Sequence, residues 1–435
     1  MKKLILTATG DSLFTADIPK EYFDGDYRDI TAFMGDAHVR MTNLETNISE
    51  FGGYPGAYSG GTWLNCTPED FDDLARFGFN YYSTANNHCM DYSYRGLLST
   101  IDNLDKRGLA HSGTGRSLDE AGAPASVAAG DVKIGIISID TSFNDASKAG
   151  EQTDSMEARP GVNYLGFQQY FPIDKDQLEQ LMSIAESSKV NAREELRIRE
   201  GFSDTSPEGV YKFGGVNFCW DGSRKKSECN KKDKARIIES VKTAKESFDY
   251  VILAVHCHAI GDTKHEEIPL FLRELCCDAV DAGASAVVCN GTHRLRPLEI
   301  YNGAPIFYSL GDFIYQGMRV RYLPADFMTK YGVDINSTAY EGLMARSKGG
   351  KIGLQTEKCN FLTVIPKMVF ENGRLQSLSM LPVVVGYGRE GKMNGLPYIA
   401  KGSEAEEIFN ILKELSEPYG TCIELKNGLI LLKQK

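Results

Sequence analysis

The segment FNYYSTANNHCMD (residues 79–91) joins an aromatic, apolar run to two amides and an imidazole. Its first part, residues 79–85, is typical of a buried β-strand, because aromatic residues favour strands. The amides of Asn86 and Asn87 and the imidazole of His88 do not belong in a sheet interior. The segment therefore predicts a strand that ends in a group of polar side chains with a chemical role.

Six other short apolar runs share this pattern. They are residues 4–10, 38–44, 133–139, 250–256, 285–289 and 305–310. Two segments between such runs, residues 94–108 and 268–283, place apolar side chains on one helical face and stop at a glycine. Strands that alternate with helices predict an α/β protein whose sheet is at least partly parallel.

The organisation of the chain changes toward its C-terminus. Residues 1–320 are predicted to form one α/β domain, with a charged helical and loop insertion around residues 174–232. Residues 321–435 are predicted to form an accessory segment that contains β-structure and packs on this domain. Two Asn-Gly pairs, at residues 372–373 and 427–428, lie between alternating runs, and this pattern predicts two β-hairpins.

Composition narrows the class of protein. The chain has 435 residues, 42% hydrophobic and 25% charged, which is typical of a globular protein. Its formal net charge of −11 disfavours a nucleic-acid binder, which needs a basic surface. We expect no membrane span, because no apolar run reaches about 18 residues. Ten scattered cysteines and the short apolar run at the N-terminus predict a cytoplasmic protein with free thiols.

Polar side chains follow several predicted strands at the point where each strand ends. The residues concerned are Asp11, Glu45, Asn87, His256, His258 and His293. Ligands bind at the carboxyl ends of strands in open α/β sheets, and carboxylate, amide and imidazole groups bind divalent transition metals. Taken singly, an Asp or Asn caps a turn, and only one of two histidines that alternate along a strand faces a given site. Taken together, these residues predict a metal centre.

In this order, the motifs resemble the calcineurin-like metallophosphoesterase superfamily, and most closely its bacterial capsule-synthesis branch, the CapA-type proteins of poly-γ-glutamate biosynthesis. The segments that carry the resemblance are GDSLF (10–14), TNLET (42–46), ANNHCMDYSYRGL (85–97), VHCH (255–258) and DAGASAVVCNGTHRLRPLEIYNGAPIFYSLGDFIY (281–315). The resemblance implies a layered αββα sandwich of the metallophosphoesterase type, here followed by a C-terminal β-containing extension.

The resemblance also implies a divalent cofactor, one or two ions of Mn, Fe or Zn. The implied metal ligands are Asp11, Glu45, Asn87, His256 and His293. Glu45 would bridge two ions. His88 would be the catalytic residue, since an imidazole titrates near neutral pH and can hydrogen-bond the substrate or protonate the leaving group.

Two positions depart from the pattern of the superfamily. Leu13 stands where its phosphoesterases carry a histidine, although this position is also apolar in the capsule branch. The segment CNGTH (289–293) keeps only one imidazole, and Asn290 would offer an amide oxygen in place of the other. The sequence therefore leaves open whether one or two metal positions are filled.

Four residues are predicted to contact substrate: Asn290, His258, Arg294 and Arg296. The two guanidinium groups follow His293 directly, and their planar shape suits a carboxylate or a phosphate. The alternative is that both arginines form surface salt bridges. The expected substrate is small and anionic or of γ-glutamyl type.

Three functions remain open from the sequence. The first is a metal-dependent hydrolase, in which a metal-bound hydroxide attacks a phosphoester or a γ-glutamyl or other amide bond. The second is a non-catalytic or weakly catalytic protein that binds a polymer or peptide of capsule or poly-γ-glutamate metabolism, and the missing imidazole favours it. The third, a hydrolase that uses Cys89 or Cys257, is disfavoured because neither thiol has an evident oriented base. The oligomeric state stays open.

Overall fold

A computed structural model describes residues 2–433 of the chain. The strands, in chain order, are β1 (Lys3–Leu13), β2 (Val39–Leu44), β3 (Asn47–Ile48), β4 (Asn65–Cys66), β5 (Tyr81–Ser83), β6 (Ala110–Ser112), β7 (Thr114–Gly115), β8 (Ala125–Ala129), β9 (Val132–Asp140), β10 (Gly161–Val162), β11 (Phe167–Gln169), β12 (Phe171–Pro172), β13 (Val210–Phe213), β14 (Val216–Cys219), β15 (Ser227–Cys229), β16 (Tyr250–His256), β17 (Ala286–Asn290), β18 (Leu298–Tyr301), β19 (Ala304–Phe307), β20 (Asp312–Tyr315), β21 (Leu362–Glu371), β22 (Arg374–Val384), β23 (Tyr398–Ile399), β24 (Ile423–Lys426) and β25 (Leu429–Leu432).

The α-helices are α1 (Lys20–Asp24), α2 (Asp26–Met34), α3 (Pro68–Ala75), α4 (Ser93–Lys106), α5 (Leu118–Gly122), α6 (Lys175–Ser188), α7 (Ala192–Arg199), α8 (Lys231–Ser247), α9 (Leu270–Asp281), α10 (Ala325–Lys330), α11 (Ala339–Arg346) and α12 (Ser403–Ser416). None of these helices combines the length and the apolar character needed to cross a lipid bilayer.

Two large sheets form the body of the protein. The first has ten strands along the path β24-β25-β22-β21-β1-β2-β5-β6, with β20 paired to β1 and β23 paired to β22. The second has six strands in the order β18-β19-β17-β16-β9-β8. The central pairs of both sheets, such as β1–β2 and β16–β17, are parallel. The prediction of an α/β protein with partly parallel sheets is confirmed.

The two sheets pack against each other and carry helices on their outer faces. Leu6 of β1 and Ile252 of β16 belong to one apolar cluster between the sheets. The neighbouring residue Leu253 belongs instead to a cluster with Ile237 of α8 and Leu275 of α9. Successive side chains of a strand point to opposite faces, so β16 is apolar throughout because both of its faces are covered. On the ten-stranded sheet, Tyr82 of β5 shares a further cluster with Ile30 of α2 and Leu104 of α4, so the layers run helix, sheet, sheet, helix.

Both Asn-Gly pairs form the predicted hairpin turns. Asn372 and Gly373 have φ values of 49° and 82° and join β21 to β22, and Asn427 and Gly428 join β24 to β25 in the same way. Two consecutive residues with positive φ are what a type I′ turn requires. In the first hairpin, β21 pairs with β1. The C-terminal strands therefore extend the ten-stranded sheet.

Candidate metal centre

The predicted site residues come together where the carboxyl ends of the two sheets meet. Asp11 lies in β1 of the ten-stranded sheet, and Glu45 follows the neighbouring strand β2. His256 ends β16 of the six-stranded sheet, and its register partner in β17 is Asn290. These residues were predicted to lie at the carboxyl ends of strands, and the structure divides those strands between two sheets. A repeating strand–helix pattern does not show where one sheet stops and a second one starts.

Glu45 is at the centre of this group and has no hydrogen-bond partner among the described residues. It is 0% exposed, and neither carboxylate oxygen accepts a hydrogen bond from any residue that the structure describes. Its Oε1 atom lies 3.6 Å from Nε2 of His256 and 3.9 Å from Nε2 of His88. A buried carboxylate without hydrogen bonds is costly, so this position calls for a cation.

Two groups of potential metal ligands share Glu45. One consists of Glu45, His256 and His258, and the other of Asp11, Glu45 and His293. Within each group the ligand atoms lie within 4.8 Å of one another. Carboxylate oxygens and imidazole nitrogens at this spacing fit a divalent transition metal, and the residues present therefore fit the expected cofactor.

The adjacent residues Asn86 and Asn87 have different roles. Asn86 donates from Nδ2 to the backbone oxygen of Leu44 at 2.8 Å, and its Oδ1 accepts from the backbone N–H of His88 at 3.1 Å. It therefore fastens the turn after β5 to β2. Asn87 directs its Oδ1 into the site, 2.7 Å from Nε2 of His256. Two amides follow β5 because one holds the turn and the other reaches the centre.

His258 lies in the centre beside His256, with 3.1 Å between their Nε2 atoms. The expectation that only one of these histidines faces the site was wrong. β16 ends at His256, so the alternation of a strand does not extend to His258. The backbone N–H of His258 donates to Oγ of Ser142 at 2.7 Å, which fixes the chain in this turn.

His88 has a buried carboxylate partner that the sequence argument missed. Its Nδ1 lies 2.6 Å from Oδ2 of Asp91, which also accepts from the backbone N–H of Leu64 at 2.7 Å. Burial raises the pKa of Asp91, and the nearby imidazole opposes this rise. Gly60 packs so closely that a Cβ atom there would lie 2.6 Å from Nε2 of His88. Only glycine allows this approach.

His293 has a similar partner in Asp312, and this residue was missed as well. Nδ1 of His293 lies 2.8 Å from Oδ1 of Asp312. Burial acts to lower the pKa of His293, but the carboxylate of Asp312 outweighs it, and the net pKa is raised. Metal-binding histidines commonly give their second nitrogen to a carboxylate in this way. Asp312 stands in the GDFIY motif, which was a usable signal for its role.

The centre concentrates buried carboxylates. Burial raises the pKa of Glu45 well above its ordinary value, and the carboxylate of Asp11 adds to this. Burial also raises the pKa of Asp11 to about 7 and that of Asp140, at the end of β9, to about 7. Burial lowers the pKa of His256 well below its ordinary value. These three carboxyl groups and His256 thus favour their uncharged forms, and a cation would allow the carboxylates to ionise.

Arg294 was predicted either to contact substrate or to form salt bridges, and in the structure it forms salt bridges. Its guanidinium contacts Glu357, lies 3.1 Å from Glu266 and donates from Nε to Oδ1 of Asn360 at 2.7 Å. The positive charge is therefore already paired within the chain. The same residue connects the loop after β17 to the loop before β21.

Arg296 was predicted to contact substrate, but its guanidinium binds backbone oxygens of this chain. It is 1% exposed and donates to the backbone oxygens of His265 and Ala259, at 2.8 and 2.7 Å. It thus fixes the loop that follows His258. Asn290 is buried, and its Oδ1 has no hydrogen-bond partner among the described residues, so this amide oxygen remains available near His256.

The family model for the bacterial capsule synthesis protein PGA_cap matches residues 5–317. The chain belongs to this family. Two uncharacterized proteins of Sinorhizobium fredii, y4sH and y4uA, are each 31% identical over 443 residues, covering 98% of this chain and 92% of each relative. The PGA biosynthesis protein CapA of Bacillus subtilis is 25% identical over 253 residues, covering 58% of this chain and 47% of CapA.

Among solved structures, a hypothetical protein from Thermus thermophilus aligns with a TM-score of 0.38 and 12% identity, covering 87% of this chain and 98% of that chain.

The capsule-synthesis family match includes both ligand groups and His88. The segment after residue 317 lies outside it.

A cleft of about 610 Å³ opens above the centre. His88 and His293 line it on the side of the strand ends, together with Gly60 and Gly61. Residues 345–348 and 352–355, which lie beyond the family match, also line it. The C-terminal segment therefore forms part of the cleft that His88 and His293 line.

Proposed function

We propose that this capsule-synthesis family protein is a metal-dependent hydrolase that cleaves a phosphoester or a γ-glutamyl or other amide bond. The observation that carries the proposal is the state of Glu45, which is fully buried, lacks hydrogen bonds and belongs to both groups of ligand atoms. A structural glutamate at this depth would have a donor for each oxygen. Glu45 therefore reads best as a ligand shared by two ions of Mn, Fe or Zn.

The remaining ligands divide between the two positions. Asp11 and His293 would hold one ion with Glu45, and His256 and His258 would hold the other. Asn87 would add its amide oxygen on the side of His256, where it lies 2.7 Å from Nε2. A bound divalent cation supplies Lewis acidity to the reacting centre.

His88 would act on the substrate. Its Nδ1 is engaged by Asp91, which orients the ring, and its Nε2 has no hydrogen-bond partner among the described residues. His88 also lines the cleft, where a substrate would lie. We infer that His88 gives a proton from Nε2 to the leaving group.

The layered arrangement of helix, sheet, sheet and helix supports a metallophosphoesterase-like sandwich. The division at residue 320, with the insertion at residues 174–232, is part of the same proposal, as is a cytoplasmic location. A relative whose name assigns it to PGA biosynthesis supports a γ-glutamyl substrate. The wider superfamily resemblance supports a phosphoester.

The second candidate is a non-catalytic or weakly catalytic protein that binds a polymer or peptide of capsule or poly-γ-glutamate metabolism. Asn290 favours it, because an amide oxygen is a weaker ligand than an imidazole. His258 weakens this argument, since it brings another imidazole to within 3.1 Å of His256. A cysteine hydrolase is disfavoured, because burial raises the pKa of both Cys89 and Cys257.

The test is metal content followed by turnover. Purified protein is stripped with a chelator, reloaded separately with Mn²⁺, Fe²⁺ or Zn²⁺, and analysed by mass spectrometry of the metals. The loaded forms are then assayed with bis(4-nitrophenyl) phosphate and with γ-glutamyl 4-nitroanilide. Bound metal with turnover supports the hydrolase, and bound metal without turnover supports the binding protein. A chain that retains no metal would overturn both ligand assignments.

A further inference from the structure

The cleft above the centre has an unusual charge for this protein. The chain carries 59 acidic and 48 basic residues. None of the described residues that line the cleft is a carboxylate, whereas two of them, Arg346 and Lys348, are cations. The lining of the cleft therefore carries only positive charge in an acidic protein, and such a lining attracts anions.

Arg346 is already engaged. Its Nη1 donates to Oγ1 of Thr62 at 2.6 Å and to the backbone oxygen of Gly61 at 3.2 Å. It joins the end of α11 to the loop that packs on His88. Its charge has no acidic partner among residues 2–433, but its Nη1 already donates two hydrogen bonds.

Lys348 is different because its ammonium has no partner. The residue is exposed and lines the cleft, and its side chain takes part in no hydrogen bond or ion pair with any residue from 2 to 433. Arg294, by contrast, is paired with Glu266 and Glu357 although it lies next to a predicted ligand. The free cation of the cleft thus comes from the C-terminal segment.

We propose that Lys348 binds a second anionic group of the substrate, a carboxylate or a phosphate, away from the bond that is cleaved. This inference rests on the proposed function, because it takes the cleft as the substrate site. It makes the segment that follows the capsule-synthesis match a determinant of specificity. The preferred substrates are then dianions, with one group at the strand-end centre and the other at Lys348.

The test compares Lys348→Ala, Lys348→Glu and Lys348→Arg with Lys351→Ala. Lys351 is a matched control, because it is an exposed lysine three residues along that does not line the cleft. Metal-loaded full-length protein is titrated calorimetrically with glutarate, inorganic diphosphate and acetate. Tighter binding of glutarate than of diphosphate identifies a carboxylate as the source of the second anion, and the reverse identifies a phosphate.

We expect Lys348→Ala to weaken binding of the preferred dianion roughly fivefold, the upper range for an exposed ion pair. Lys348→Glu should weaken it further, Lys348→Arg should restore it, and acetate binding and Lys351→Ala should stay unchanged. The difference should shrink at high salt, because exposed charges are screened. With a turned-over dianionic substrate, KM should rise while kcat stays constant.

Two results would overturn the assignment of Lys348. One is wild-type affinity for both dianions in Lys348→Ala and Lys348→Glu, and the other is a metal-loaded wild type that binds neither dianion at millimolar concentration. Thermal unfolding of each variant checks that it is folded. Failure of the proposed function would look different, since it would appear as a wild type that holds no metal before any dianion is added.

Discussion

Replacing Glu45 by glutamine tests the centre at the one residue that both ligand groups share. Glutamine keeps the volume and removes the charge, and no hydrogen bond is lost because neither oxygen of Glu45 has a partner among the described residues. The fold should therefore survive. Metal binding should not, because a ligating carboxylate must be ionised to hold the cation.

The expected loss of metal affinity follows from the position of Glu45 in both groups of ligand atoms. Loss of a residue that merely supports a ligand lowers metal affinity about 10- to 100-fold, so the loss of a ligand common to both positions should cost at least about 100-fold. Metal at about 100 times its Kd stabilises the wild type by about 2.7 kcal/mol, and the same concentration would stabilise the variant by about 0.4 kcal/mol. For a chain of this length, the first value corresponds to a Tm increase of about 3 °C.

The assay measures Tm by calorimetry and bound metal by mass spectrometry, each with and without Mn²⁺ or Zn²⁺. Glu50→Gln is the matched control, because it makes the same chemical change on an exposed side chain five residues along. It should keep the metal and the full Tm increase. Unchanged stoichiometry and an unchanged Tm increase in Glu45→Gln would refute the assignment of Glu45.

Three further predictions concern single residues or groups. His88→Asn should lower turnover roughly 10²–10⁴-fold while metal content and Tm stay constant, whereas lost metal would make His88 a ligand. Arg296→Met should lower the free energy of unfolding, measured in urea, by about 3 kcal/mol, since two charged hydrogen bonds from a buried guanidinium disappear. Arg294→Met should cost less than about 1 kcal/mol, and equal losses would contradict this contrast. All ten cysteines should titrate as free thiols under denaturing, non-reducing conditions, and a disulfide between Cys276 and Cys289, whose sulfurs lie 3.7 Å apart, would contradict it.

The sequence predicted strands well where both faces of the strand are covered. Residues 250–256 were expected as a strand and form β16 over the same range, because an uninterrupted apolar run is typical of a strand between two layers. β5 is shorter than its predicted range of residues 79–85, since the polar turn residues begin to leave the sheet after Ser83. Local composition predicts that these segments form strands, but it does not show to which of the two sheets a strand belongs.

The partners of the site residues were harder to predict, because they depend on tertiary structure. Asp312 meets His293 only through the pairing of β20 with β1, in which Asp312 lies opposite Asp11. Arg296 is buried because the loop after His258 folds back over it, and no local pattern encodes that contact. Lys348 and His88 line the same cleft although they are far apart in the chain.

The imidazole that the family pattern places near Asn290 bears on how many ions the centre can hold. If no other residue replaced this imidazole, His256 would be the only imidazole in its ligand group. Here, Nε2 of His258 lies 3.1 Å from Nε2 of His256 and 3.3 Å from Oδ1 of Asn87. Burial lowers the pKa of both imidazoles well below the ordinary value, so both rings offer a lone pair and not a second positive charge.

Two neutral imidazoles, an amide oxygen and a carboxylate without hydrogen bonds form a mixed nitrogen and oxygen donor set. Such a set favours Zn²⁺, Fe²⁺ or Mn²⁺ over Mg²⁺, which prefers oxygen ligands and retains water. If the proposed centre holds metal, His258 would supply from the loop the nitrogen that Asn290 does not supply from the strand end. The asparagine at residue 290 would then change the source of one ligand, and it does not by itself argue for a single ion or for a protein without catalytic activity.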